Sequence, residues 1–177
     1  MMKTKEGKAE MRNRQGEKLS YNDSKLLNTN LAMEAIRSNG FKPELDGHWI
    51  SFSVKGELYY IDTEYFPILI MMERYDIDSK EWNLRLVRQA AHQVSDDMVM
   101  VKVFLLGESD YKIAFQIAAI ENKYEHLNDC LTYYIDILNE SRIRFITSYC
   151  ELEQREFLAD RTLIEPNRKD EGKIIVS

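Results

Sequence analysis

The chain has 177 residues, of which 44% are hydrophobic and 31% charged, and its formal net charge is -6. This length and composition fit one folded domain with extensions, and the negative charge disfavours a general nucleic-acid binder, because the protein would repel phosphate. No apolar run approaches the roughly 20 residues that span a bilayer, and the Lys-rich start lacks the apolar segment of a signal peptide, so we expect a cytoplasmic protein.

The first part of the chain is mildly basic and has almost no apolar residue suited to a core before Leu19. We predict a flexible segment over residues 1–23, with a basic docking arm for an acidic partner or nucleic acid as the alternative. A first helix is predicted over about Ser24 to Asn39, since capping residues precede it and apolar residues recur on one of its faces. Gly40 ends this helix, because Gly readily takes the left-handed conformation found after a helix.

The stretch from His48 to Tyr75 predicts three consecutive antiparallel strands. Apolar and polar residues alternate from Trp49 to Val54 with the period of two of a half-buried strand, and an apolar run resumes from Leu58 to Ile61. Lys55-Gly56 between these runs predicts a tight hairpin. The third run, Ile68 to Met72, is apolar on both faces, which indicates a strand inside the sheet that needs helices or another subunit above it.

The second half of the chain predicts a helix followed by two more strands. Asp76 to Ser79 offers an N-cap for a helix over about Lys80 to Val94. Alternating apolar residues then predict strands over about Val99 to Leu106 and Tyr111 to Ile120, joined by a hairpin turn. The sequence therefore predicts five strands.

A last helix is predicted to start near Asn122. No Gly or Pro intervenes before Pro166, so one long helix and a helix kinked near Ser141 are both open. We expect an α+β domain over residues 24–145, followed by a helical extension and C-terminal tail over residues 146–177. The apolar end of that tail could instead add an edge strand.

Together these elements predict a two-layer α+β fold in the order α-β-β-β-α-β-β-α. Its antiparallel five-stranded sheet is covered by helices, because the turns within each group of strands are too short for parallel crossovers. No catalytic, cofactor-binding or metal-binding signature is present: the histidines are far apart in sequence, the two cysteines lack CxxC spacing, and phosphate-loop and nucleophile-elbow motifs are missing. We therefore predict a protein that is not an enzyme and that uses no cofactor.

Aromatic residues are the most informative feature for function, because tyrosine supplies the broad amphipathic surface that is enriched in protein interfaces. The chain has 10 tyrosines, of which half or more are expected in or beside the core. The candidate partner-binding residues are Trp49, Tyr59, Tyr60, Tyr65, Met71 and Tyr149. Of these, Tyr59 is predicted to be an exposed anchor of the interface.

The segment from about Ser24 to Phe145 resembles the YbjN-like proteins and, at the level of the fold, the type III secretion chaperones. The resemblance lies in the loop from Gly40 to Gly47 (GFKPELDG), the Trp82-Asn83 pair that opens the second helix, and the last two paired strands. It implies a two-layer domain, often dimeric, without cofactor or catalytic residues, in a family labelled as sensory-transduction regulators or chaperone-like proteins. No functional residue of the family can be carried over.

These observations predict a non-catalytic interaction module, chaperone-like or regulatory, that binds a protein or peptide partner by strand addition or by a helix laid in a groove. A small-molecule-binding sensory domain is the alternative, and it would show an enclosed apolar pocket with a few convergent polar groups. A homodimer is expected as well, since the stripe formed by Phe145, Tyr149 and Leu152 lies beyond the part of the last helix that the sheet covers. Neither a membrane nor nucleic acid is expected as a partner.

Overall fold

The structure, a computed structural model, describes residues 20–65, 68–120 and 126–164. The described elements are, in chain order, α1 (Tyr21–Ser38), β1 (Glu44–Asp46), β2 (Trp49–Val54), β3 (Glu57–Asp62), β4 (Ile68–Asp76), α2 (Leu84–Asp97), β5 (Val101–Leu106), β6 (Lys112–Ile120) and α3 (Leu127–Ile164). The predictions for residues 1–19, for a helix start near Asn122 and for the tail after residue 164 lie outside the described residues.

The strands form one antiparallel sheet in the order β1-β2-β3-β4-β6-β5. The predicted α+β class, antiparallel sheet and long last helix are confirmed, whereas the predicted count of five strands is wrong by one. The missed strand, β1, has only three residues, all exposed, and so short a run is too brief for hydrophobic alternation to reveal it. The hairpin at Lys55-Gly56 is confirmed, with φ values of 53° and 92° that suit a two-residue turn between twisted strands.

The first two helices begin at caps that differ from the predicted ones. The Ser20 side chain accepts a hydrogen bond from the Asp23 N–H, so α1 begins earlier than predicted. Asn83 caps α2 in the same way, and this helix begins later than predicted. Asp78 instead holds the turn before α2, where its Oδ1 accepts a 2.8 Å hydrogen bond from the Lys80 N–H. Several residues able to cap lie near each start, so sequence alone does not select between them.

The last helix, α3, runs unbroken past Arg142. Its stripe beyond that residue is buried, with Phe145, Tyr149 and Leu152 exposed by 2%, 6% and 6%. The Tyr149 hydroxyl accepts a 3.0 Å hydrogen bond from the Asn83 N–H at the start of α2. The apolar surface that was expected to need a second subunit is therefore covered within the chain.

The two faces of the sheet have different surroundings. On the inner face, which packs against the helices, the period of two places the buried residues Ile50, Phe52, Tyr59, Ile61, Leu69, Met71, Glu73, Ile113, Phe115 and Ile117. The outer face carries the alternate residues, including Trp49, Tyr60, Ile70, Met72, Arg74 and Phe104. None of these outer residues belongs to the core that joins sheet and helices, and none of the described helices lies over them.

One edge of the sheet, β5, is protected by a side chain from α2. The Ser95 Oγ accepts a 2.8 Å hydrogen bond from the Val103 N–H and donates one of 3.3 Å to the Val103 carbonyl. Both groups lie on the side of β5 that faces away from β6. Since an exposed edge can pair with another chain, this contact blocks strand addition in the middle of β5.

Replacing Ser95 with Ala should lower the free energy of unfolding by about 1–2 kcal/mol, because two partly buried backbone groups lose their partner. Chemical denaturation measures this loss, and the exposed Ser53→Ala serves as a matched control that should change little. Equal effects of the two substitutions would show that the Ser95 contact does not stabilise the fold.

Candidate functional site

The structure separates the six predicted partner-binding residues into two groups. Trp49 and Tyr60 lie on the outer face, and Tyr65 is 57% exposed in the turn after β3. In contrast, Tyr59, Met71 and Tyr149 are exposed by only 1%, 0% and 6%.

The prediction that Tyr59 is exposed is wrong. Its ring packs against Phe52 at 5.7 Å, and its hydroxyl donates a 3.2 Å hydrogen bond to Asn139 Oδ1 on α3. The run Leu58 to Ile61 is uniformly apolar in character, so its composition does not reveal which of two adjacent tyrosines faces inward. Since a buried side chain cannot contact a partner while the domain stays folded, Tyr59, Met71 and Tyr149 are core residues.

At the centre of the outer face, Arg74 lies against two aromatic rings. Its guanidinium carbon is 3.9 Å from the centre of the Tyr60 ring and 5.6 Å from that of Trp49. The two rings meet edge to face at 6.5 Å. Arginine over aromatic rings is attracted by their π electrons, and such groups recur at interface hot spots.

Apolar residues extend this aromatic cluster across the sheet. Ile70 and Phe104 are partly exposed on the outer face, and Met72 is 8% exposed beside them. Sequence reasoning missed Arg74 and Phe104, although their alternation with Glu73 and Val103 is a signal that could have placed them. The outer face is therefore an apolar and aromatic surface with one central cation.

The two edges of the outer face carry charged residues of opposite sign. At the β1 end the outward residues Glu44 and Asp46 are acidic. At the other end β5 carries Lys102, whose ammonium lies 3.5 Å from the Ser95 carbonyl on α2, and β6 carries Lys112, which is paired with Asp76. Glu44 and Lys102 end the same row across the sheet, which runs through Ser51, Tyr60, Met72 and Gln116. The face thus carries acidic residues at one edge, apolar residues in the middle and lysines at the other edge.

On the inner face, a polar cluster joins α3 to β3 and β4. Arg142 Nη1 donates hydrogen bonds of 2.7 Å to Glu57 Oε1 and 2.6 Å to the Tyr75 hydroxyl oxygen, and it lies 4.0 Å from the fully buried Glu73. The Tyr75 hydroxyl also lies within hydrogen-bond distance of both Glu57 and Glu73. Arg142 Nη2 donates to Asn139 Oδ1 at 3.2 Å.

The surroundings of the titratable groups in this cluster shift their pKa values. Burial raises the pKa of Glu73, whereas the hydrogen bond from Arg142 lowers the pKa of Glu57. Tyr75 has one hydroxyl proton to share between two carboxyl groups. The Tyr75 hydroxyl can therefore donate to only one of Glu57 and Glu73 at a time, while its oxygen accepts from Arg142. Burial likewise raises the pKa of Tyr59 to about 12, so that phenol stays neutral.

Beside this cluster lies a cavity of about 240 Å³ between the sheet and α3. Its lining is formed by Tyr75, Asp76, Ile77, Trp82, Ile113, Phe115, Arg142, Phe145 and Ile146. The walls are mostly aromatic or aliphatic, and Arg142 and Tyr75 contribute polar groups at one side. Sequence reasoning missed this cavity because its walls come from three elements and a loop that are far apart along the chain.

One group of possible metal ligands is found in the described part of the chain. It consists of His48, Asp62 and Glu64, whose ligand atoms lie within 4.8 Å of one another. His48 Nε2 is 3.5 Å from Glu64 Oε2, and Asp62 Oδ1 accepts a 2.9 Å hydrogen bond from the Glu64 N–H. The turn after β3 explains the position of both acids, since a carboxylate commonly caps such a turn.

No family model matches the sequence, and no curated protein matches it. Among solved structures, the chain is similar to the crystal structure of YbjN from E. coli, a proposed transcription regulator, with 10% identity and a TM-score of 0.49. The similarity covers 72% of this chain and 93% of the YbjN chain. A likeness this distant carries no information about function.

No helix in the described ranges is long and apolar enough to cross a membrane.

The polar cluster predicts an unusual dependence of stability on pH. Between the ordinary value of 4.5 and its raised folded pKa, Glu73 holds a proton that the unfolded chain has released. The free energy of unfolding should therefore fall as pH rises through this window. In Glu73→Gln this contribution is lost, so the stability of the variant relative to the wild type, measured by chemical denaturation, should increase as pH rises above the ordinary value of 4.5.

Glu57→Gln is the matched control for this prediction. Because the pKa of Glu57 is lowered, its contribution is complete above the ordinary value of 4.5 and is lost only as pH falls below that value. The relative stability of Glu57→Gln should hence change mainly as pH falls below 4.5, with only the smaller effect of the Glu57 charge on the pKa of Glu73 at higher pH. If both variants gave the same pH dependence, the assignment of the proton to Glu73 would be wrong.

Proposed function

We propose that this chain is a non-catalytic protein-interaction module whose binding surface is the outer face of the sheet, and that a second copy of the chain occupies this face. The observation that carries the proposal is the distribution of charge and apolar surface on that face, from Glu44 at one end to Lys102 at the other. A chaperone-like or regulatory role would then belong to the dimer.

The composition of the outer face suits a protein interface. Its central residues are Trp49, Tyr60, Met72 and Arg74, and all four residue types are enriched at interfaces. The contact of Arg74 with the Tyr60 ring also orders the arginine side chain before any partner arrives. An ordered side chain loses less conformational entropy on binding, which favours association.

Charge complementarity supports a second copy of the chain as the occupant. A two-fold axis that is parallel to the strands and lies between two facing sheets places the β1 edge of each copy over the β5 edge of the other. In this arrangement Glu44 of one copy faces Lys102 of its partner, and the reverse contact is identical by symmetry. An axis perpendicular to the strands would instead place Glu44 over Glu44, which like-charge repulsion disfavours.

The size of the face is sufficient for a dimer. Six strands spaced about 4.8 Å apart and about 20 Å long give a face of roughly 600 Å² per copy, and the total of about 1,200 Å² exceeds the roughly 1,000 Å² of a specific interface. Facing sheets commonly pack about 10 Å apart with nearly aligned strands. The proposed dimer therefore has the geometry of an ordinary β-sandwich.

A different protein or peptide partner is the competing occupant. Strand addition, one of the two modes expected from the sequence, is opposed at β5 by the Ser95 contact, so the short edge strand β1 is the remaining edge for it. Such a partner would leave the chain monomeric when pure.

Reversing one charge should weaken the dimer, and reversing both should restore it. Glu44→Lys or Lys102→Glu alone creates two like-charge contacts per dimer, and each should raise the dissociation constant about tenfold. In the double variant the pairs are opposite again, so dimerisation should recover. Sedimentation equilibrium at low and high salt measures these constants, and the differences should shrink at high salt. A wild-type monomer at micromolar concentration, or a double variant as weak as the single ones, would contradict the proposed dimer.

The adjacent tyrosines Tyr59 and Tyr60 provide a matched pair that distinguishes core from interface. Tyr60→Ala should weaken the dimer by about 2 kcal/mol and change the unfolding of the monomer little, because its ring is central to the outer face. Tyr59→Ala should instead destabilise the fold by about 3–5 kcal/mol. Sedimentation and denaturation of both variants measure these effects; a stable dimer of Tyr60→Ala would show that the outer face is not the interface.

A further inference from the structure

The cavity on the inner face has the features of a small-molecule site that is separate from the proposed dimer surface. At about 240 Å³ it is larger than the engineered apolar cavity of about 150 Å³ that holds benzene. It opens between β4, β6 and α3, on the side of the sheet opposite to Tyr60 and Arg74. A ligand there would not compete with a second copy of the chain.

Aromatic rings give the cavity flat walls. Trp82 stacks on Phe145 with a distance of 6.2 Å between ring centres and an interplanar angle of 17°. Phe115 meets Phe145 edge to face at 5.7 Å, and Tyr75 meets Phe115 in the same way at 6.1 Å. Walls of this kind favour a planar apolar ligand, since rings gain from stacked and edge-to-face contacts.

The polar side of the cavity determines the charge of the ligand. A guanidinium has five N–H donors, and among the described residues Arg142 donates to Glu57, Tyr75 and Asn139 through Nη1 and Nη2 only. Donors thus remain for an acceptor on a ligand. The other lining charge, Asp76, is paired with Lys112 at 2.7 Å.

The neighbouring carboxyl groups of Glu57 and Glu73 leave Arg142 able to bind a negatively charged ligand. Arg142 donates a 2.7 Å hydrogen bond to Glu57, and burial raises the pKa of Glu73, which favours the uncharged form of that carboxyl group. A ligand carboxylate can then approach Arg142 without facing a second buried anion, whereas an ammonium group would be repelled by the guanidinium.

We propose that this cavity binds a small aromatic carboxylate, whose ring lies between Trp82 and Phe115 and whose carboxylate accepts hydrogen bonds from Arg142. The site would make the chain a receptor for such molecules in addition to its role in protein association. β4 connects the two sites, because Tyr75 lines the cavity while the adjacent Arg74 lies on the outer face.

The test is an NMR titration of protein labelled at isoleucine methyl groups, with phenylacetate as the probe. Saturable shifts are expected at Ile77, Ile113 and Ile146, which line the cavity, because an aromatic ring shifts nearby methyl signals. Ile143 is the matched control: it is 58% exposed on the same helix as Ile146, but it does not line the cavity. Shifts confined to surface methyls, or no saturation at millimolar probe, would overturn the proposal.

Two further ligands with the same ring test whether the cavity prefers a carboxylate. Benzylamine and phenylacetamide share the ring but carry a positive and a neutral group, and each should bind at least about tenfold more weakly than phenylacetate. Arg142→Lys should reduce phenylacetate binding by a similar factor. If that variant fails to fold, the comparison of the three ligands on the wild-type protein decides; equal affinities would show that Arg142 does not recognise a carboxylate.

Discussion

One-sided coverage of the sheet is the constraint on which the rest of this structure depends. All three described helices pack on the inner face, so the period of two along each strand decides whether a residue joins the core or stays at the surface. β4 shows the effect most clearly, since Glu73 and Tyr75 point towards α3 while Arg74 lies over Tyr60 on the opposite face. The same alternation thus produces both the cavity and the proposed dimer surface.

The buried polar cluster is what attaches the long last helix to the middle of the sheet. Arg142 reaches Glu57 and Tyr75, and the whole group surrounds the fully buried Glu73. A buried carboxylate without a close partner would strongly destabilise the fold. A buried carboxyl group beside a single arginine is therefore better tolerated when it is protonated. Apolar residues of similar volume would pack as well without this requirement. The proposed binding role at the adjacent cavity would give Glu73 and Arg142 a use that apolar residues could not supply.

The sequence predicted the helices and strands more accurately than it predicted which face of the sheet each side chain occupies. Hydrophobic periodicity located the helices and the longer strands, because that signal is local. It missed β1, whose three residues are all exposed, and it assigned Tyr59 to the surface although only Tyr60 lies there. The outward position of Arg74 could have been read from its alternation with Glu73. The cavity could not, because contacts between α3 and the sheet join residues that are far apart along the chain.

The most direct test of the proposed dimer is cross-linking with a short bis-maleimide between single cysteines, after Cys130 and Cys150 are replaced by Ser. A bis-maleimide suits facing sheets about 10 Å apart, a distance that a disulfide cannot span. Glu44→Cys protein mixed with Lys102→Cys protein should give a covalent dimer, and neither protein alone should do so. Cross-linking of either variant with itself, or none in the mixture, would contradict a two-fold axis parallel to the strands.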